Sequence, residues 1–199
     1  MRYHGCIDND ASNVYSFRLA ELARSASKSD WMVLSVTVLA TALILFEQRR
    51  NLSLALVLGC IAIGAGILSA IDLRSHRLPN RGTLALAILS TVGLGLVGAM
   101  SDQAERLPVA VGSGIALLIV FFLVHLVAAL GMGDVKYAYT IGCTTGWFGF
   151  PTLMTALLIT SATAAIGAAA VLIISRDSSK RIPYGPFMSL GLAAAILVS

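Results

Sequence analysis

From Trp31 onward the chain is a succession of long apolar runs, separated by breaks of only a few polar residues. Most of the runs approach or exceed the roughly 20 residues that an α-helix needs to cross a bilayer core. That length leaves few backbone solutions, because in lipid every N–H and C=O must find its partner inside a helix or a closed barrel. The runs are continuous and do not alternate with period two, so a barrel is excluded. The sequence therefore predicts an all-α polytopic membrane protein with six or seven spans, at 31–47, 52–71, 82–100, 107–130, 135–149, 151–174 and 184–198. The fifth and seventh are short. Pro151 separates the fifth from the sixth, because proline disfavours helical angles at Phe150 before it. Composition agrees: 57% of residues are hydrophobic and 12% charged, and mean hydropathy is +0.86, against about 25% charged in an average soluble domain.

Two segments are expected, a polar N-terminal cytoplasmic stretch at 1–30 and a membrane domain at 31–199. Val14, Phe17, Leu19 and Leu22 give the first a loose apolar face, suited to a helix lying in the interface or to an unstructured tail. It does not read as a secretory signal, since the apolar run starts late and no small-residue cleavage site follows. Lysine and arginine give the sidedness. With 1–30, 72–81, 131–136 and 175–183 in the cytoplasm, that side holds Arg2, Arg18, Arg24, Lys28, Arg74, Arg77, Arg81, Lys136, Arg176, Lys180 and Arg181. The other side holds Arg49, Arg50 and Arg106, a split of 11 to 3 that satisfies the positive-inside rule. Cys6, Cys60 and Cys143 are far apart and form no CxxC pair, so neither a disulfide framework nor a metal site is expected. The net charge of +4 comes without a basic run interleaved with aromatics, so no nucleic-acid partner is expected.

Two aspartates stand where apolar runs end. Asp72 closes the second run, in "AIDLRSHRLPN", and Asp134 lies between the fourth and fifth, in "GMGDVK". The predicted topology brings both to the cytoplasmic face. Ionisable groups at membrane depth suggest function. Two carboxylates held together share one proton: the ionised one takes a proton from water, and the protonated one polarises a carbonyl and later protonates the leaving amine. Which aspartate is acid and which is base stays open. Gly131 and Gly133 permit close approach of another chain, and free N–H groups of a helix starting near Asp134 suit an extended peptide or a carboxylate. Lys136 either tunes Asp134 or meets lipid head groups. Pro79 ends the second helix, and Asn80 is a good N-cap for the third. A lone His125 in the fourth run is more simply a hydrogen-bonded packing residue than a catalyst. Trp31, Trp147 and Tyr184 suit interfacial anchoring.

"IDLRSHRLPN", "GMGDVKYAYTIG" and "IPYGPFMSLG" at 182–191 together resemble the type IV prepilin peptidases, in order and in spacing, with 62 positions separating Asp72 from Asp134. The short, tight-adherence (Flp-type) form is the most similar. The resemblance implies a GxGD-type aspartic endopeptidase of the bacterial inner membrane, multi-pass and with its site facing the cytoplasm. Such an enzyme clips the basic leader from pilin-like precursors and takes no cofactor or metal. By matching positions, Asp72 and Asp134 would be the catalytic pair. Gly131, Gly133 and Lys136, Pro79 and Asn80, and Pro183, Gly185 and Pro186 would shape the site or meet substrate. Larger members carry a cytoplasmic insertion with paired cysteines and also N-methylate the product. This chain has neither the insertion nor the pairs, so methyl transfer is not expected. Its partners would be the precursor and membrane lipid. The rival readings are a small transporter or channel subunit, which would need acidic groups deeper in the spans and broken helices, and an inactive membrane scaffold.

Overall fold

The computed structural model describes residues 28–49, 51–75, 78–127, 130–175 and 183–199, without the side chains of 28–31, 174 and 175. Expectations resting on 1–27, Arg50, His76, Arg77, Arg176, Lys180, Arg181 and Ile182, and on the side chains of Lys28 and Trp31, lie outside the described residues. Val33–Ser199 forms one compact unit. Among the described residues the architecture is entirely helical: α1 Lys28–Glu47, α2 Leu52–Ser75, α3 Asn80–Met100, α4 Arg106–Val127, α5 Met132–Gly146, α6 Phe150–Ser175 and α7 Gly185–Val198.

Four of these are long and apolar enough to cross a membrane: Leu52–Ser75, Asn80–Met100, Arg106–Val127 and the Phe150–Ile173 part of α6. Their outward faces carry large exposed apolar side chains along the whole length, among them Leu56, Ile63, Ile88, Leu96, Ile119 and Leu158. Such faces are tolerable in lipid and not in water, and the chain is a polytopic all-α membrane protein. The apolar stretches Met32–Glu47 and Gly185–Val198 are shorter.

α5 is different. It is 15 residues long and almost wholly enclosed, with Asp134, Val135, Tyr137, Ala138 and Thr140 through Gly146 buried. Its threonines are sheltered by protein; the hydroxyls of Thr144 and Thr145 bond back to carbonyls four residues earlier. The enclosure depends on small residues. A Cβ at Gly142 would lie 2.6 Å from the Ser113 carbonyl oxygen and 2.9 Å from the Gly114 Cα, and one at Gly146 would lie 3.3 Å from the Ala110 Cα. Ala110 and Gly114 of α4 thus face Gly142 and Gly146 of α5, so the two backbones approach as small-xxx-small pairs allow.

Two expectations about element ends are corrected. Phe150 is helical, and the break before α6 falls at Gly149, whose φ of +113° only glycine adopts readily. Pro151 sits in the first turn of α6, where no N–H is needed. Trp147 is no interfacial anchor: it is 2% exposed, in the core beside Gly98.

Candidate active site

Asp72 and Asp134 lie at one end of the bundle. α2 does not stop before Asp72, as the apolar run suggested, but carries it in its last turn. Asp134 stands in the first turn of α5, where that helix's enclosed part begins. Both are buried, at 4% and 9% exposure, an unusual state for carboxylates.

Each carboxylate is held by a helix end. The Gly185 N–H, first of α7, donates to Asp72 Oδ2 at 2.9 Å across 113 positions of sequence. The amide end of a helix favours negative charge. Tyr184 is the cap of α7 and Pro186 follows Gly185 in its first turn, where a missing N–H costs nothing. A Cβ at position 185 would sit 2.9 Å from the same carboxylate oxygen and 3.3 Å from Asp72 Cβ, so only glycine allows this approach. At the other aspartate, the Gly131 N–H donates to Asp134 Oδ2 at 3.2 Å, and the Asp134 N–H returns to the Gly131 carbonyl at 3.0 Å. Asp134 Oδ1 is buried and accepts no hydrogen bond from the described residues.

The two sequence motifs are pressed together. A Cβ at Gly133 would lie 2.6 Å from Leu78 Cβ and 3.1 Å from the Leu78 carbonyl, so α5 begins directly against the backbone leading to Pro79. Asn80 does not cap α3. The cap position is Pro79, extended at φ −69° and ψ 127°, with no side-chain cap bond. The Asn80 amide oxygen instead accepts from Lys136 Nζ at 2.9 Å on the exposed rim. That contact ties the start of α3 to the first turn of α5, and it engages the ammonium that was expected to serve Asp134 or lipid. Pro183 is half-buried, and Pro79, Asn80 and Lys136 are exposed. His125 Nδ1 lies 2.6 Å from the Leu130 carbonyl oxygen, a hydrogen bond to the segment entering α5.

The electrostatics separate the two acids. The Asp134 carboxyl is pushed up from the usual 3.8 to about 6, first by burial and then by the negative charge of Asp72, while the Gly131 N–H pulls the other way. Tyr184 is a site residue that sequence reasoning missed, having read it as an anchor. Its half-buried ring packs on Phe121 with centroids 6.3 Å apart, and its hydroxyl is raised by burial and then by the charge of Asp134. The signal was its place between Pro183 and Gly185. A carboxyl raised in this way can hold a proton at mildly acidic pH beside a second carboxyl, an arrangement able to support general acid–base attack of water on a carbonyl.

The sequence profile of the type IV leader peptidase family matches residues 59–169, which contain both aspartates. The chain is 31% identical over 145 residues to a prepilin leader peptidase/N-methyltransferase of Xanthomonas campestris pv. campestris, covering 68% of this chain and 46% of that protein. It therefore spans about half the length of that curated relative. No solved structure matches.

Proposed function

This chain belongs to the type IV leader peptidase family, and on that premise we propose that it is an aspartic endopeptidase that removes the basic leader from pilin-like precursors, with Asp72 and Asp134 as its catalytic pair. The observation that carries this reading is the pair itself: two buried carboxylates at one end of the bundle, near enough that the charge of one raises the other. In the reaction Asp72, steadied by the α7 amide, takes a proton from water. Asp134, with its unpartnered oxygen, holds the proton that polarises the scissile carbonyl and then passes to the leaving amine. The peptide approaches across the glycine-lined start of α5, where Gly131 is exposed.

We place the site on the cytoplasmic side of a bacterial inner membrane, on the charge asymmetry of the sequence, with 1–30 as a cytoplasmic segment and 31–199 as the peptidase domain. The rival transporter reading needs acids deep in the spans. Among the described residues, Glu47, Asp72, Asp102, Glu105 and Asp134 all stand at helix ends or in turns. The matched relative's name includes N-methyltransferase; for this chain we propose trimming alone, because it lacks the paired cysteines of the larger form. Mass spectrometry of the product's new N-terminus checks this, and a 14 Da increment overturns it.

The deciding experiment co-expresses a pilin-like precursor with the wild type, Asp72→Asn or Asp134→Asn, at matched membrane levels. Cleavage by the wild type and a loss of about 10²–10⁴-fold in each variant, the range for a lost acid or base, is the expected result. Normal cleavage by either variant removes that aspartate from the mechanism.

A further inference from the structure

Directly beneath the aspartates, one helical turn further into the bundle, lies a second polar layer that the proposed chemistry does not use. Ser69 is three residues before Asp72, Tyr137 three after Asp134, and Ser189 four after Gly185. Each shares a helix face with its partner and lies about 5 Å deeper at 1.5 Å per residue. The three hydroxyls form a chain. Tyr137 Oη and Ser189 Oγ are 2.8 Å apart, Ser189 Oγ and Ser69 Oγ 2.7 Å, and Ser69 Oγ donates to the Ala65 carbonyl at 2.9 Å. The Ala65 carbonyl also lies 3.2 Å from Ser189 Oγ. With the protons running from Tyr137 through Ser189 to Ser69, every hydroxyl donates and the chain ends on an acceptor. Ser69 is 2% exposed and Tyr137 0%, so water does not compete.

This chain joins helices that otherwise meet through intermediaries. α2 packs mainly on α3 and α7, and α5 mainly on α4 and α3 and more lightly on α7, while α2 and α5, which carry the aspartates, barely touch each other. Their relative position is therefore transmitted by other elements, and Ser189 on α7 bonds both of them at once. We propose that the Tyr137–Ser189–Ser69 hydroxyl chain is a clamp, with Ser189 as its pivot, that fixes the spacing and relative orientation of Asp72 and Asp134. These are positioning residues and touch no substrate. The inference rests on the peptidase reading for its kinetic consequence and on the geometry alone for its structural one.

The kinetic test uses the full chain in membranes and a pilin-like precursor. Ser189→Ala, and Tyr137→Phe, which deletes one oxygen without changing shape, each lower kcat at least tenfold with KM held within about twofold. A displacement of the reacting groups by about 1 Å can cost up to 10²-fold. The double variant is no worse than the poorer single, since both cut one chain, and Ser189→Thr, which keeps the hydroxyl, recovers most of the loss. Wild-type kcat in both single variants, or a loss confined to KM, overturns the clamp.

The structural test needs no cleavage. Asp72→Cys and Asp134→Cys are combined in a chain with Cys6→Ala, Cys60→Ala and Cys143→Ala, then bridged with bis-maleimides of stepped length. With Ser189 intact one spacer length dominates, and Ser189→Ala spreads the yield over several. An unchanged distribution overturns the clamp whether or not the chain is a peptidase. A wild type that cleaves no precursor overturns the peptidase reading and leaves this arm to judge the clamp.

Discussion

Asp134 Oδ1 is a buried oxygen without a donor among the described residues, and leaving such a group unsatisfied costs about 1–3 kcal/mol, more when it is charged. Protonation removes the charge, and the proposed mechanism therefore gives the shared proton to Asp134. The sign of the pH dependence follows. Below about 6 the Asp134 carboxyl keeps its proton, and above it that carboxyl is ionised and the proposed acid is lost. The kcat/KM profile for precursor cleavage is expected to fall on its alkaline limb with a midpoint near 6; a flat profile from pH 5 to 8 removes Asp134 as the acid. Gly185→Ala places a methyl 2.9 Å from Asp72 Oδ2. It is expected to lower cleavage by about tenfold or more, by misplacing one reacting group, with membrane level unchanged on an immunoblot. The aspartates were legible in the sequence through the two motifs that hold them, each at the edge of an apolar run. The Gly185 amide was legible only as part of a motif, since its bond to Asp72 spans 113 positions. Ser69, Tyr137 and Ser189 were not legible at all: isolated hydroxyls inside apolar helices commonly bond to their own backbone, and only the fold shows these three meeting.

α5 works because α4 lets it in. Its backbone and three threonines would be costly against lipid, and the glycine–alanine seam with α4 keeps them away from it. Ala at Gly142 would press a methyl onto the Ser113 carbonyl, 2.6 Å away, which is backbone and cannot swing aside, whereas Gly112 on the same neighbouring helix has open space within 4 Å. Gly142→Ala is therefore expected to destabilise by about 1–3 kcal/mol, the usual cost of overpacking, and Gly112→Ala not to destabilise at all. Thermal unfolding in detergent, followed side by side, reads the difference; equal midpoints would mean that the seam does not hold α5. The helix positions themselves were read well from the apolar runs, because length and continuity dictate them. What failed was local. Phe150 is helical because Gly149 supplies the turn by itself, and Trp147 is core because α5 ends inside the protein rather than at an interface.

For the whole molecule, the antiparallel order of α2 and α5 puts both aspartates at one end, and the α3–α4 turn containing Asp102 lies at the other. Side-specific labelling of a cysteine-free chain tests the proposed orientation. Asn80→Cys is expected to react with an impermeant maleimide only after permeabilisation, and Asp102→Cys in intact cells; the reverse pattern inverts the topology. The bundle reaches its chemistry late. Ribosomes deliver Asp72 first, then Asp134, and the Gly185 amide that steadies Asp72 only after α6 has been made. A half-synthesised chain thus holds both acids before the Gly185 amide that bonds Asp72 exists, beside neighbours whose own peptide bonds are also newly inserted. Under the proposed peptidase reading, hydrolytic competence waits for the helix translated last among these seven, and the order of manufacture then acts as a safety catch beside other nascent membrane proteins.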